Sequence, residues 1–454
     1  MIAQVNVGEE IFLDIKRLGI NGEGIGYYKK QAIFVDGALP KENVLVKVTK
    51  TFKGYATAEL LEIKTPSKMR VEPFCPYYTK CGGCSIQHVD YKESGNLKRD
   101  LLIESIARYT KINPRSFEIK PTIIMDDPYN YRAKVNLPIR NGMHGTVFGL
   151  YAPNSEKFIR IKNCQVQNED INNIMEEITT ALDKLAIKAY DGKTKKGFVR
   201  YVVVRSSVHS KEVQVTFILA KELKDINELA LEVSKNKKIK SVYYSVNSAF
   251  DDASIFGKSI VKVWGNDSIV EKIGDYYYNL LPNSFFQLNP VQAKKLYDEV
   301  KKAAKLSMKE NVVDAYCGVG SIGIYLAKWA KEVVGIESNK QAIINAEENA
   351  KLNKIKNIRF IEGDATNVIP YLAKGNFIPD VMVFDPPRTG MTDEIKETIL
   401  KSIPKRIVYV SCNPASLAKD LNMLTQKYDI KYIQPIDMFP FSSHVESICL
   451  LSLK

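Results

Sequence analysis

The fold class this sequence predicts is α/β: a doubly wound parallel sheet at the C-terminal end, behind a small N-terminal β-barrel and a strand-rich central domain. Three observations carry that reading. From about residue 312 onward, short β-branched runs alternate with helical patterns, the signature of a parallel sheet with helices on its faces. Residues 1–66 hold short alternating segments broken by glycine and proline, as small antiparallel barrels do. Between them, from about Met125 to Trp264, strand patterns dominate. A chain of 454 residues accommodates two or three domains, and its 45% hydrophobic content supplies a core for each.

In the barrel the alternating segments are Glu10–Ile15, Ala32–Val35, Val44–Val48 and Ala56–Ile63, punctuated by Gly22, Gly24, Gly37, Pro40 and Gly54. Tyr27, Tyr28, Phe34, Phe52 and Tyr55 suit base stacking and core packing alike. Pro66 and Pro73 bracket a connector into a cysteine-bearing segment. A helix is expected from about Tyr91 to Ile112, with Leu97, Leu101, Leu102, Ile106 and Tyr109 near helical spacing. The clearest central strands are Lys134–Ile139, Val147–Tyr151, Val199–Arg205 and Val213–Ile218. Two basic clusters accompany them, Lys193, Lys195, Lys196, Arg200, Arg205 and Lys235, Lys237, Lys238, Lys240, which read as solvated loops or as phosphate contacts. The parallel strands are expected at Val312–Asp314, Val333–Glu337, Ile358–Ile361, Val381–Asp385 and Ile407–Ser411, with Ile430–Met438 and Glu446–Leu451 as a terminal pair. The domains then fall at 1–66, at 67–90 with 125–270, and at 91–124 with 271–454.

A net charge of +13 favours a polyanionic partner, nucleic acid foremost, over a merely soluble basic surface. Seven cysteines, an odd number, with no apolar signal segment after Met1, point to the reducing cytoplasm instead of a secreted disulfide scaffold. No apolar run approaches membrane-span length. Nothing calls for an obligate protein partner.

The segment Asp314-Ala315-Tyr316-Cys317-Gly318-Val319-Gly320-Ser321 leaves the first parallel strand and enters a helix, so glycine admits a ligand close to the backbone. A Gly-x-Gly turn alone is a weak signal. Glu337 ends the next strand, where an acid accepts both hydroxyls of a ribose, an arrangement that dinucleotide enzymes share. Asp364 after the third strand, Asp385-Pro386-Pro387-Arg388 after the fourth, and the lack of a GxGxxG fingerprint favour S-adenosylmethionine and a methyltransferase.

Cys75, Cys81 and Cys84, with Cys164 far downstream, provide four thiols; their spacing suits structural zinc somewhat better than an iron–sulfur cluster. His88, His144, His209 and His444 show no mutual ligand spacing. Cys412, between Ser411 and Asn413-Pro414, lies in a tight turn at a strand end, and by itself reads as either a buried packing cysteine or an accessible thiol. Cys317 and Cys449 read as packing residues.

At Asp385-Pro386-Pro387-Arg388, Ser411-Cys412-Asn413-Pro414 and His444-Val445-Glu446 the sequence resembles the RNA uracil-C5 methyltransferases, in particular the bacterial 23S rRNA branch. The resemblance spans nearly the whole chain: Asn283-Ser284-Phe285-Phe286-Gln287-Leu288-Asn289 is similar to the family segment before the catalytic core, and the N-terminal barrel looks like a TRAM domain. It implies a Rossmann-like class I methyltransferase domain, Cys412 as the nucleophile that adds to uracil C6, and Glu446 as the base that removes the C5 proton. It also implies that Gln287, Tyr316, Ser321, Glu337, Asp364 and Asp385 hold S-adenosylmethionine, although Ser321 stands where relatives often have Asn. Phe285 becomes a candidate for stacking on a flipped uracil and reads equally well as core; Arg132, in Tyr131-Arg132-Ala133-Lys134, becomes a candidate RNA contact. The family's ribosomal-RNA members carry a [4Fe–4S] cluster on the pattern of Cys75, Cys81, Cys84 and Cys164, which reverses the preference for zinc.

The same reaction on the T-loop uridine of tRNA is the main alternative. Bacterial members dedicated to that substrate typically lack the barrel and the cluster cysteines, so both features favour 23S rRNA. A catalytically silent RNA-binding protein would account for the barrel and the charge but leave Cys412 and Glu446 unexplained.

Overall fold

A computed structural model describes residues 5–153, 155–249 and 254–454. The chain separates into two compact units interleaved in sequence: Met1–Asp126 with Pro387–Met391 and Ser411–Cys449, and Asp127–Pro386 with Thr392–Val410 and Leu450–Lys454.

The first unit begins with β1 (Glu10–Leu18), β2 (Gly24–Tyr28), β3 (Gln31–Val35), β4 (Asn43–Phe52) and β5 (Tyr55–Thr65), closed into a barrel in the order β1-β2-β3-β5-β4. β1 is antiparallel to β2 and β4, whereas β3 and β5 pair in parallel. The period of two seen in the sequence sends Ile11, Leu13 and Ile15 inward to meet Ile33, Val35, Val44, Val46 and Val48. Gly26 is required where β1 crosses, since a Cβ there would stand 2.5 Å from Leu13 Cγ. Of the aromatics, Tyr27, Phe52 and Tyr55 are exposed, and Phe52 stacks on Tyr55 with ring centroids 4.6 Å apart. Next comes α1 (Tyr91–Tyr109), capped by the Asp90 carboxylate, which accepts the Lys92 N–H. It ends three residues before the expected Ile112 because Thr110 turns extended and its hydroxyl donates to the Ile106 carbonyl. The short β6 (Glu118–Ile119) follows.

In the second unit a seven-stranded sheet is built from β7 (Lys134–Gly142), β8 (Gly145–Tyr151), β9 (Phe158–Arg160), β10 (Val199–Ser206), β11 (Val213–Leu219), β12 (Ile239–Val246) and β13 (Val261–Gly265), ordered β13-β12-β11-β10-β7-β8-β9. β11, between two strands, is buried at every position, as its continuous apolar run requires. The helices α2 (Glu169–Lys184) and α3 (Ile226–Val233) pack Ile171, Ile174, Ile178, Leu229 and Val233 into one core with these strands.

A hairpin of β14 (Ile269–Ile273) and β15 (Tyr276–Leu280) leads through a loop to α4 (Pro290–Ala304). The chain then alternates: β16 (Asn311–Ala315), α5 (Ser321–Ala327), β17 (Glu332–Glu337), α6 (Lys340–Leu352), β18 (Ile358–Glu362), α7 (Ala365–Lys374), β19 (Val381–Phe384), α8 (Asp393–Ser402) and β20 (Arg406–Ser411). These strands pair in parallel in the order β18-β17-β16-β19-β20. The order reverses at β16, the position at which a doubly wound sheet opens a crevice at its carboxyl end.

The first unit resumes with α9 (Pro414–Leu424), β21 (Tyr428–Ile436) and, through Cys449, the start of β22 (Glu446–Leu453). α9 packs on α1, and β21 lies between β22 and β6. Among the described residues no helix is long and apolar enough to cross a membrane.

Candidate active site

At the carboxyl end of the parallel strands the structure gathers the acids that the sequence marks. Tyr316, directly after β16, has φ +64°, a left-handed conformation that a tyrosine keeps only when its surroundings impose it. Gly318 and Gly320 follow with φ +54° and +79°, so the turn needs its glycines. Glu337 ends β17 and accepts the Gly318 N–H at 3.2 Å and the Asn339 N–H at 2.8 Å. Asp364 caps α7 by accepting the Thr366 N–H at 2.7 Å, and Ser321 opens α5 with its carbonyl accepting the Tyr278 hydroxyl at 3.1 Å. Desolvation pushes the Asp385 carboxyl up to about 7.

Sequence reasoning passed over Asp314. It is buried inside β16, its Oδ2 accepts the Gly323 N–H at 2.7 Å, and its Oδ1 has no partner. Burial, with the charges of Asp385 and Glu337 nearby, pushes its carboxyl up to about 7. The available signal was an aspartate within a β-branched strand, a place where an acid is costly unless something compensates it.

Gln287 and Phe285 lie on the loop between β15 and α4. Phe285 is 71% exposed whereas Phe286 is buried against Tyr278, so Phe286 takes the core role and the core reading of Phe285 is corrected. Two cations, one half-buried and one buried, hold this loop by its carbonyls: Lys134 donates to Pro282 at 3.1 Å, and Arg205 donates to Ser284 and, at 3.3 Å, to Leu281. Burial beside Arg205 brings the Lys134 ammonium down to about 6. The Ala133 N–H donates to the Leu288 carbonyl at 2.8 Å, which carries Arg132, the preceding residue, to the edge of the same loop.

The basic clusters divide. Arg200 donates to the carbonyls of Asn247 and Ala249, both at 2.7 Å, and Arg205 is buried, so both have structural tasks. Lys235 pairs with Glu232 and Lys238 with Asp170.

Cys412 is half-buried and lies between β20 and α9. Asn413 shapes the turn: its Oδ1 accepts the Ala415 N–H at 3.0 Å as the cap of α9, and its Nδ2 donates to the Arg388 carbonyl at 3.0 Å. Pro414 fills the first helical position, where its missing N–H costs nothing. Glu446, the first residue of β22, is 7% exposed, and the next residue, Ser447, donates its hydroxyl to the Ser411 carbonyl at 3.4 Å. Arg388 meets His444 Nδ1 at 3.3 Å. Arg388, Cys412, Asn413, His444 and Glu446, drawn from the three motifs of the resemblance, thus lie within the first unit. Cys317 and Cys449 are buried, with thiols pushed far up by desolvation, in keeping with packing roles.

Cys75 and Cys81 flank a hydrogen-bonded turn in which the Tyr77 carbonyl accepts the Cys81 N–H at 2.7 Å, and Cys84 follows three residues later. Cys164 is likewise half-buried, and none of these thiols is in a disulfide. Thiols suit either zinc or iron–sulfur ligation. Among the described residues no three His, Cys, Asp or Glu side chains are gathered as metal ligands.

Comparison with known proteins gives the family. Residues 98–454 match the family described as tRNA (Uracil-5-)-methyltransferase, and residues 4–61 match the TRAM domain. A relative from Bacillus anthracis, described as an uncharacterized RNA methyltransferase, is 43% identical over all of this chain and 98% of its own length. One from Listeria monocytogenes with the same description is 41% identical over 99% of this chain and 98% of its own. The solved Pyrococcus abyssi tRNA (uracil-54, C5)-methyltransferase, in complex with S-adenosyl-L-homocysteine, superposes with a TM-score of 0.77 at 27% identity, covering 97% of this chain and 100% of that one. The chain therefore belongs to the tRNA (Uracil-5-)-methyltransferase family, with a TRAM domain at its N-terminal end.

Proposed function

We propose that this methyltransferase modifies C5 of a specific uridine in 23S rRNA through a covalent bond between Cys412 and uracil C6. The observation that supports it most is the bond from Ser447 to Ser411, which brings their chain neighbours Glu446 and Cys412 close together. Gln287, Tyr316, Ser321, Glu337, Asp364 and Asp385 would hold S-adenosylmethionine, which would supply an electrophilic methyl group. The Cys412 thiolate adds to C6, and the electron pair displaced from the C5–C6 double bond makes C5 nucleophilic enough to take that methyl, the electrons of the broken methyl–sulfur bond leaving with the sulfur of S-adenosylhomocysteine. The Glu446 carboxylate then takes the C5 proton, the double bond re-forms, and the C6–S bond breaks to return the thiolate. The exposed Phe285 ring offers a stacking face for a uracil turned out of its helix, and Arg132 a phosphate contact.

Cys412→Ala is expected to abolish methyl transfer and the covalent complex. Glu446→Gln is expected to permit both and to accumulate a methylated protein–RNA adduct on denaturing gels. Normal turnover by Glu446→Gln, or an adduct with Cys412→Ala, would overturn these roles.

The closed barrel and the four cysteines support 23S rRNA as substrate and a [4Fe–4S] cluster on Cys75, Cys81, Cys84 and Cys164, and the lack of membrane-crossing helices among the described residues is compatible with work in the cytoplasm. The Pyrococcus relative acts on uracil 54 of tRNA, which favours the T-loop of tRNA as the second reading. Mapping 5-methyluridine in rRNA and tRNA from a deletion strain separates the two.

A further inference from the structure

Between β21 and β22 the chain runs from Asp437 to Val445 and delivers Glu446, and three sets of contacts bind this loop within the first unit. At its start, the fully buried Lys98 of α1 donates to Asp437 Oδ1 and, at 3.1 Å, to the Phe439 carbonyl. The Tyr91 hydroxyl donates to Asp437 Oδ2 at 2.9 Å while accepting the Met125 N–H at 2.9 Å. In the middle, the N–H groups of Ser85 and Ile86 both donate to the Phe441 carbonyl at 3.0 Å. Phe441 has φ +65°, and its ring packs edge-on against Phe74. Further along, the Ser443 N–H donates to Ser85 Oγ at 2.8 Å and the Ser443 hydroxyl to the Ile20 carbonyl at 2.9 Å.

Taking an ammonium and a carboxylate out of water is costly, and a buried pair gains little stability over apolar residues of the same volume. Its better-attested use is to specify one arrangement over others. Here the pair clamps the first residue of the loop that carries the base, nine positions before Glu446, and a left-handed phenylalanine is held in the same loop. The Lys98 charge also attracts the Glu446 carboxylate.

We propose that Lys98, acting through Asp437 and the Phe439 carbonyl, is a positioning residue that fixes Glu446 for removal of the C5 proton, so that it governs release of the adduct and leaves methyl transfer alone. The proposal rests on Glu446 being the base. Lys98 itself touches neither substrate nor cofactor in this role. Its effect falls chiefly on the second half of the cycle, because the turn that presents Cys412 has hydrogen bonds of its own, from the Asn413 N–H to Ser411 Oγ and from Asn413 Nδ2 to the Arg388 carbonyl.

The test uses the full-length chain, methyl-labelled S-adenosylmethionine, and total RNA from a strain lacking the enzyme. The double variant Lys98→Met with Asp437→Asn removes both buried charges and leaves neither unpaired. Its single-turnover methyl transfer is expected within about twofold of the parent, while steady-state turnover falls on the order of a hundredfold, the scale set by misplacing a reacting group by an ångström. A methylated adduct should accumulate on denaturing gels. Lys98→Arg, which keeps the charge, should restore part of the turnover. Tyr91→Phe, which loses one hydrogen bond to the same carboxylate, should show the same split in milder form and decides the matter if the double variant does not fold. Equal losses in both steps without adduct would show a folding role only and overturn the proposal, as would parental turnover. Glu446→Gln run alongside separates the two assignments: if it accumulates adduct and the Lys98 and Tyr91 variants do not, the positioning role fails alone; if it does not, the assignment of the base fails first.

Discussion

Replacing Asn413 with Ala removes two hydrogen bonds at once from the turn that presents Cys412. The Oδ1 atom caps α9 through the Ala415 N–H, and the Nδ2 atom donates to the Arg388 carbonyl. Losing an Asn cap costs about 1 kcal/mol. Losing one further hydrogen bond at a partly exposed site costs about 0.5–1 kcal/mol. The expected destabilisation is therefore about 1.5–2 kcal/mol, which a domain-sized protein survives. The rate effect should be larger, because Cys412 is the residue immediately before and a shift of about 1 Å in a reacting group costs on the order of a hundredfold. Asn413→Asp keeps an acceptor for the cap and loses the donor to Arg388, so it should retain about half of the lost stability and still react slowly. Thermal unfolding measures the first quantity, and the rate of covalent trapping by RNA carrying 5-fluorouridine measures the second. If Asn413→Ala traps as fast as the parent while unfolding earlier, the side chain caps α9 and does nothing for the thiol. Unchanged stability would refute the cap as well.

Protein purified without oxygen is expected to contain about four irons per chain, in keeping with a single four-cysteine cluster; stoichiometric zinc without iron would restore the reading that spacing alone favours. The carboxyls of Asp314 and Asp385 are pushed up to about 7 from 3.8, so between those values the folded chain holds more protons than the unfolded one. Stability should accordingly fall as pH rises from about 4 to about 7 and level off above, and Asp314→Asn should flatten that slope in melting curves. Binding of S-adenosylmethionine, a cation at sulfur, should tighten over the same rise in pH, as calorimetry in buffers of different ionisation enthalpy would show together with proton release. Lys195→Ala with Lys196→Ala should reduce the salt slope of RNA binding by roughly 1 to 2 if both touch phosphate. Arg200→Ala should instead lower the melting temperature, since that guanidinium holds the Asn247 and Ala249 carbonyls.

The alternating strands and helices from β16 onward were legible because each buried strand is a β-branched run and each of α6, α7 and α8 starts at an Asn, Asp or Thr whose side chain caps it. The turn at Cys412 was legible for the same reason: Asn413-Pro414 is a cap followed by a residue suited to the first helical position. Two-residue β6 carries no period at all. Phe285 and Phe286 are adjacent in an irregular loop, where no periodicity tells an exposed ring from a buried one. Lys98 and Asp437 stand 339 positions apart, and a lysine on a helix reads as a surface residue until its partner is known. The four cysteines show the converse: spacing and resemblance name ligands, while their assembly depends on how a turn and a distant segment are placed.

The pairing of β1 with both β2 and β4 makes the barrel a ring, and a ring does not shorten gracefully. Cutting the chain within β1 would strip partners from β2 on one side and from β4, a ten-residue strand, on the other. Each would become an open edge with a row of unanswered N–H and C=O groups, and such edges recruit strands from other molecules. An N-terminal truncation ending inside Glu10–Leu18 should therefore yield self-associating protein, whereas removing the barrel whole through Thr65 leaves no half-open sheet behind.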